Sequence, residues 1–229
     1  MTDAFRTTRW SIVLGAGRAS GTALTDLCEA YWYPLYAYAR RRGHSAETAE
    51  DLTQGFFAEL LEKNWVVAAD REKGRFRAFL LTAFKRHIGH EREKARAKKR
   101  GGDRARLSLD FEDGERRYSF EPTHEATPER IFERRWALTL LGRVLDGLAA
   151  ETDADLFAAL RPHLTGEPAE ETYREIALRL GMSEGGVKTA AHRLRARYRE
   201  RLRGEIADTV SDPADVEDEI RALMEALRA

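Results

Sequence analysis

The sequence predicts an all-α protein of two small helical domains joined by an acidic linker. Apolar residues recur at helical spacing through most of the 229 residues, whereas alternating, strand-like runs are scarce. Two blocks are strongly basic: residues 71–106 hold fourteen Lys/Arg against four Asp/Glu, and residues 172–204 hold nine against three. Between them, residues 107–130 hold seven acidic against three basic residues. Separate charge blocks within a chain of zero net charge indicate two basic binding surfaces.

The composition excludes several classes of protein. Cys28 is the single cysteine, so the chain forms no internal disulfide and no thiolate zinc cage, and its aromatic neighbours indicate core packing. No signal pattern and no long apolar run appears, which predicts a cytoplasmic protein without membrane contact. No nucleophile, base and orienting group stand at a recognisable spacing, so we expect neither an enzyme nor a bound cofactor.

The N-terminal half divides into a leading segment and three helices. Residues 1–21 include the apolar run Trp10–Leu14 before a glycine-rich stretch, but the spacing matches neither the Walker nor the Rossmann pattern. The first helix starts at Thr22, contains Pro34, which is expected to bend or split it, and ends at Gly43.

The next two helices complete a predicted domain over 22–106. Ser45 is placed as the N-cap of one helix, whose apolar stripe is Leu52, Phe56 and Leu60. The other begins at Phe76 and turns from apolar to almost wholly basic before two glycines at 101–102.

Residues 107–127 have little periodicity and form the predicted linker. Thr127 and Pro128 mark the start of the second domain, which extends over 128–207. The acidic extension 208–229 contains a short amphipathic helix whose apolar stripe needs a partner. The stripe consists of Ile220, Leu223, Met224 and Leu227. It suits packing on the second domain, covering that domain's basic surface as a self-inhibitor, or docking a regulator, and the sequence does not choose among them.

Residues 172–202 carry the signals of a helix-turn-helix. Thr172 and Glu175 have the spacing of a capping box, and Gly181 suits the left-handed end of the short helix they start. Ser183 is placed to cap the next helix after a short turn.

The second helix of this pair has two different faces. Val187, Ala191, Leu194, Tyr198 and Leu202 form a stripe expected to be buried. Lys188, His192, Arg195 and Arg199 recur on another face. In its first turn stand Gly185 and Gly186, each costing about 1 kcal/mol relative to alanine in a helix. Because glycine lets a backbone approach DNA closely, we favour DNA binding over a merely solvated basic helix.

Two segments resemble a known family. The stretch "YREIALRLGMSEGGVKTAAHRLRARYRERL" resembles region 4 of the extracytoplasmic-function (ECF) sigma factors of bacterial RNA polymerase. The stretch "AEDLTQGFF" is similar to the Asp-x-x-Gln-x-x-Phe pattern of region 2, with Asp51, Gln54 and Phe57 in its places. The resemblance covers about 22–106 and 128–205.

The resemblance implies roles for three groups of residues. Core RNA polymerase would be bound by Glu50, Asp51 and Gln54. The minus-10 promoter element would be bound by Arg75, Phe76, Arg77, Phe79, Lys85, Arg86, His87 and His90, with helix core an equal alternative for Phe79. The minus-35 element would be bound by Ser183, Glu184, Gly186, Lys188, Thr189, His192, Arg193 and Arg195. The acidic linker would follow the path of the nascent RNA, although its composition equally suits an inert tether. No metal is expected at His87 and His90, since no third ligand lies near them in the sequence.

Two residues depart from the family pattern. Gly55 replaces an acidic residue at the polymerase face, and Arg86 replaces an asparagine, which implies a different minus-10 preference. Thr53, expected to be exposed beside Asp51, would restore negative charge if it were phosphorylated.

Three functions are consistent with these patterns. A sigma factor would bind promoter DNA together with core RNA polymerase and would be open to control by an anti-sigma protein or another regulator. A stand-alone helix-turn-helix regulator would bind its duplex without polymerase, and a nucleic-acid scaffold would bind without regard to sequence. The sigma factor is favoured because it accounts for both basic blocks and the linker.

Overall fold

The computed structural model describes residues 21–62, 75–97, 110–119 and 127–228. The helices of these residues are α1 (Gly21–Arg41), α2 (Ala46–Glu62), α3 (Phe76–Ala97), α4 (Phe111–Ser119), α5 (Pro128–Ala150), α6 (Ala154–Thr165), α7 (Tyr173–Leu180), α8 (Glu184–Ala207) and α9 (Val216–Arg228), with a 3₁₀ turn at Pro213–Asp215. The described residues contain no strand beyond an isolated bridge between Arg75 and Val210. The predicted all-α class is therefore confirmed.

The chain forms two compact units. The first comprises Met1–Thr139 together with Ile206–Ala229, and the second comprises Leu140–Glu205. The division falls within α5 and within α8, so it differs from the predicted domains 22–106 and 128–207.

The core of the first unit is apolar and unusually aromatic. Helix α1 contacts α2 and α4, and α2 contacts α3. The fully buried large side chains of this unit include Tyr31, Tyr36, Tyr38, Phe56, Phe57, Phe76, Phe84, Phe132 and Trp136. Cys28 is buried as predicted, and burial raises the pKa of its thiol to about 11. Pro34 lies inside α1 without splitting it.

Part of the predicted linker is a helix packed on α1. A Cβ on Gly114 of α4 would lie 2.8 Å from a ring carbon of Trp32, so only glycine allows this close approach. The Glu115 carboxylate accepts hydrogen bonds from Arg40 at 2.7 and 2.9 Å and from the Tyr36 hydroxyl at 2.5 Å. Residues 110–119 are therefore not a free tether within the described chain. The remaining linker residues, 107–109 and 120–126, lie outside the described part.

The docking of α4 should weaken in acid. Burial raises the pKa of Glu115, but hydrogen bonds from Arg40 and Tyr36 outweigh it, and the net pKa lies below the ordinary 4.5. A depressed carboxylate pKa stabilises the folded state above the unfolded value, and this contribution is lost as the pH falls below 4.5. Urea unfolding at pH 7 should show that Glu115→Gln costs less than about 1 kcal/mol, because the pair is partly exposed. At pH 3 the difference from wild type should shrink, and an unchanged difference would contradict the assignment.

The C-terminal helix belongs to the first unit. Leu223 is fully buried and Val216 nearly so, whereas Ile220 and Leu227 are half-buried and Met224 is exposed. The sequence analysis considered the second domain or a separate regulator as the partner of this helix, and neither of these is the first unit. The buried side of α9 also includes a carboxylate, Glu219, which is 0% exposed.

Candidate nucleic-acid interface

Local hydrogen bonds start and end the first helix of the helix-turn-helix, α7. The Thr172 hydroxyl accepts a hydrogen bond from the Glu175 N–H, and the Glu175 carboxylate accepts one from the Thr172 N–H at 2.7 Å. Gly181 ends the helix in the left-handed region, with φ of 65°. The capping box and the glycine end are both confirmed.

Helix α8 follows after a three-residue turn. The Ser183 hydroxyl accepts a hydrogen bond from the Gly186 N–H at 3.0 Å, which confirms Ser183 as the cap. Val187, Ala191, Leu194 and Leu202 are buried and Tyr198 is half-buried, as their spacing predicted. The second unit thus holds α8 by one apolar stripe and leaves its opposite side exposed.

Most of the predicted minus-35 residues lie together on that exposed side. The exposed members are Ser183, Glu184, Lys188, Thr189, His192 and Arg193, and Gly186 is partly exposed. The Lys188 ammonium lies 2.7 Å from the Glu184 carboxylate, and this hydrogen bond lowers the pKa of Glu184. The start of α8 is therefore a polar surface with a solvent-exposed cation–carboxylate pair, which contributes little to stability and is suited to exchanging partners with a nucleic acid.

Arg195 does not share that surface. Its guanidinium donates to the Tyr173 hydroxyl at 2.7 Å and to the His163 carbonyl oxygen at 3.2 Å. The His163 ring packs on the Tyr173 ring with centroids 4.6 Å apart. Arg195 thus ties α8 to α6 and α7 and is half-buried, so in this structure it supports the helix-turn-helix instead of facing outward.

The paired glycines have different surroundings. A Cβ on Gly186 would lie 3.1 Å from the Ser183 hydroxyl oxygen, so the cap itself disfavours a side chain there. A Cβ on Gly185 would meet nothing within 4 Å. No packing in the described chain therefore explains Gly185, which lies exposed in the first turn of α8, where a groove-bound backbone would approach DNA.

Gly185→Ala should separate stability from binding. We expect the second unit to become more stable by about 0.5–1 kcal/mol, because alanine is the better helix former and has room. If Gly185 admits a close DNA backbone, the same variant should bind its duplex more weakly. Thermal unfolding and fluorescence anisotropy measure the two effects. Gly186→Ala serves as the comparison and should gain less stability, because its Cβ crowds Ser183; equal gains would contradict this explanation.

A second candidate surface lies on α2. Asp51 is exposed, and Glu50 and Gln54 are half-buried. The Gln54 amide donates to the Glu50 carboxylate at 3.2 Å, one helical turn away. The structure therefore brings the three predicted polymerase-binding residues together on one side of α2.

Thr53 is not on that side, and the expectation that it is exposed was wrong. Its side chain is 0% exposed, and its hydroxyl donates to the Ala49 carbonyl oxygen at 2.7 Å. Gly55 is also buried. A buried hydroxyl is inaccessible to a kinase, so the folded protein offers no phosphorylation site at Thr53.

The predicted minus-10 residues are scattered between core and surface. Arg86 and His90 are exposed, and Arg75, Phe79 and Lys85 are half-buried. Phe76, Arg77 and His87 are buried, with exposed fractions of 0%, 5% and 1%. The structure therefore does not present the eight residues as one open surface.

The buried members have partners inside the first unit. The Phe76 ring packs edge-on against Tyr31, with centroids 5.4 Å apart. His87 Nδ1 lies 2.7 Å from a carboxylate oxygen of Glu59. These contacts account for the burial of Phe76 and His87 without nucleic acid. The segments 1–20, 63–74 and 98–109, which include part of the predicted basic run, lie outside the described residues.

One cluster was missed by the sequence analysis. Arg77 donates to Glu219 at 2.7 and 3.0 Å and to Glu133, and its guanidinium lies 4.5 Å from the Trp136 ring centroid. Arg75 contacts the same Glu219 carboxylate at 2.8 Å. The available signal was the position of Glu219 on the apolar side of α9, three residues after Val216 and four before Leu223.

These features define a protein whose described residues form helices and whose second unit contains a helix-turn-helix. Comparisons with protein-family models, curated proteins and solved structures found no match to the chain. Across the described helices, none has the length and apolar character needed to cross a membrane. The described side chains also include no group of three or more His, Cys, Asp or Glu placed to hold a metal ion.

Proposed function

We propose that the protein is a sigma factor of the ECF type, which binds core RNA polymerase and directs it to promoter DNA. The observation that carries the proposal is the capped helix-turn-helix with an exposed polar and basic start of α8. Gly185 also supports the proposal, because no contact within the described chain requires glycine at this exposed position.

The acidic side of α2 separates this proposal from a stand-alone regulator. Under the sigma reading, Glu50, Asp51 and Gln54 form the contact with core polymerase. Asp51 is the most exposed of the three, so its carboxylate is the best placed to meet a basic partner. A regulator that acts alone has no use for such a contact.

Co-elution with core RNA polymerase on a sizing column tests the proposal. Wild type should co-elute with purified bacterial core enzyme at moderate salt, and Asp51→Arg should not, because it reverses a charge at the contact. Glu93→Arg is the matched control: it makes the same charge reversal at an exposed position on α3 and should still co-elute.

The opposite result has a clear meaning. If folded wild type and the Glu219→Gln variant described below both elute apart from the polymerase, the sigma proposal fails. Tight, sequence-selected binding of duplex DNA by the chain alone would then support the stand-alone helix-turn-helix regulator.

A further inference from the structure

The C-terminal segment occupies the basic residues predicted to bind the minus-10 element. The Glu219 carboxylate contacts Nε and Nη2 of Arg77 at 2.7 and 3.0 Å and Nε of Arg75 at 2.8 Å. Two arginines converging on two oxygens of one carboxylate is the arrangement by which proteins hold a phosphate. Glu219 thus takes the place that a nucleic-acid phosphate would occupy between them.

The same segment also holds the backbone at this point. The Phe76 N–H, at the start of α3, donates to the Thr209 carbonyl oxygen at 3.0 Å, and Arg75 forms an antiparallel bridge with Val210. An unpaired N–H at a helix start is itself an anion-binding group. The side chains of Arg75 and Arg77 and the backbone of Arg75 and Phe76 are therefore engaged by residues between 209 and 219.

The charges of this cluster balance only while α9 is docked. Arg75 and Arg77 carry two positive charges, and Glu219 and Glu133 carry two negative charges. When α9 leaves, one cation loses its partner and becomes available to another anion. A phosphate backbone supplies that anion.

Helix α9 is packed incompletely against the first unit. A cleft of about 300 Å³ lies beside Arg77, between Glu129, Arg130 and Glu133 of α5 and Ala222, Glu225 and Ala226 of α9. Met224, also on α9, is 40% exposed. Helix α9 is thus anchored chiefly at Val216, Glu219 and Leu223, with incomplete packing beyond them.

We propose that α9 is a self-inhibitory segment, in which Glu219 mimics a phosphate and competes with single-stranded promoter DNA for Arg75 and Arg77. This inference rests on the proposed sigma function, because it takes DNA as the competing ligand. Release of α9 exposes both arginines and the start of α3 to the opened minus-10 strand.

Binding of a fluorescein-labelled single strand of about 20 nucleotides tests the competition, since a strand of this length covers one binding site. Full-length Glu219→Gln should bind the strand about tenfold more tightly than wild type. A plot of log binding constant against log salt concentration should also be steeper, by about 0.7 for each arginine that is freed. Asp218→Asn is the matched control, because it removes one charge from an exposed neighbour on α9. It should change affinity by less than about twofold, as expected for a screened surface charge.

Arg75→Gln combined with Glu219→Gln tests the assigned residues. The double variant should lose most of the gain in affinity, and its log–log salt slope should fall back by about 0.7 because one arginine is missing. Equal affinities for wild type and Glu219→Gln would overturn the inference while leaving the sigma function intact. If neither chain binds the strand at low salt, the inference is also overturned, and polymerase co-elution then decides the sigma function separately.

Hydrogen exchange of the wild-type chain supplies a test without substitution. Amides of Val216–Arg228 should exchange faster when the strand is bound, because α9 has been displaced. Unchanged protection of α9 at saturating strand would overturn the inference. This measurement also applies if Glu219→Gln fails to fold.

Discussion

Replacing Arg77 with alanine is expected to lower the free energy of unfolding of the first unit by about 3–5 kcal/mol. Arg77 is 5% exposed, neutralises both Glu133 and Glu219, and packs over Trp136. Its loss leaves buried carboxylate charge with Arg75 as the remaining partner of Glu219. Detachment of α9 would relieve that charge, so the docking energy of α9 sets an upper limit on the loss.

Urea unfolding followed by circular dichroism measures this effect. Arg86→Ala is the matched control, because Arg86 is exposed on the same helix and should change stability by less than about 0.5 kcal/mol. If Arg77→Ala and Arg86→Ala had the same free energy of unfolding, the buried cluster around Arg77 would not stabilise the first unit as we infer.

Phe76→Ala should cost about 3–5 kcal/mol, as expected for deletion of a fully buried aromatic ring. The ring packs edge-on against Tyr31 at the start of α3, and removing a ring from a closely packed core leaves a cavity. Phe76→Leu keeps most of the apolar volume and should cost less than about 1.5 kcal/mol. Phe79→Ala should lower the free energy of unfolding by less than Phe76→Ala, because Phe79 is only half-buried.

This comparison matters for any test of DNA binding at Phe76. A loss of binding in Phe76→Ala would follow from loss of folded protein alone, so Phe76→Leu is the informative variant. If Phe76→Ala unfolds at the same urea concentration as wild type, the Phe76 ring does not stabilise the core, and its predicted role in binding the minus-10 element gains support.

The starts and ends of helices were predictable because they depend on neighbouring residues. The Ser45 hydroxyl accepts a hydrogen bond from the Thr48 N–H at 3.2 Å, and the Thr127 hydroxyl accepts one from the Arg130 N–H at 3.2 Å, as their positions indicated. The Leu52, Phe56 and Leu60 stripe of α2 is buried for a similar reason, since helical period alone places the three on one side.

The roles of individual polar residues were less predictable. Thr53 and Arg195 each stand at spacings that suit an exposed face, yet one is buried and the other binds His163 and Tyr173. Threonine can satisfy its hydroxyl on its own helix, and arginine can bury its stem while its head finds partners. Sequence spacing states which residues share a side of a helix, but not how far the neighbouring elements cover that side.

The sequence by itself determined the helical class, the helix-turn-helix with its caps, and the exposed polar start of α8. Each of these depends on residues within about two helical turns of one another. Only the tertiary structure decided that α4 packs on α1, that α9 belongs to the first unit, and that Glu219 holds Arg75 and Arg77. Glu219 and Arg77 stand 142 positions apart, and no local propensity or period encodes which distant charge will neutralise a buried one.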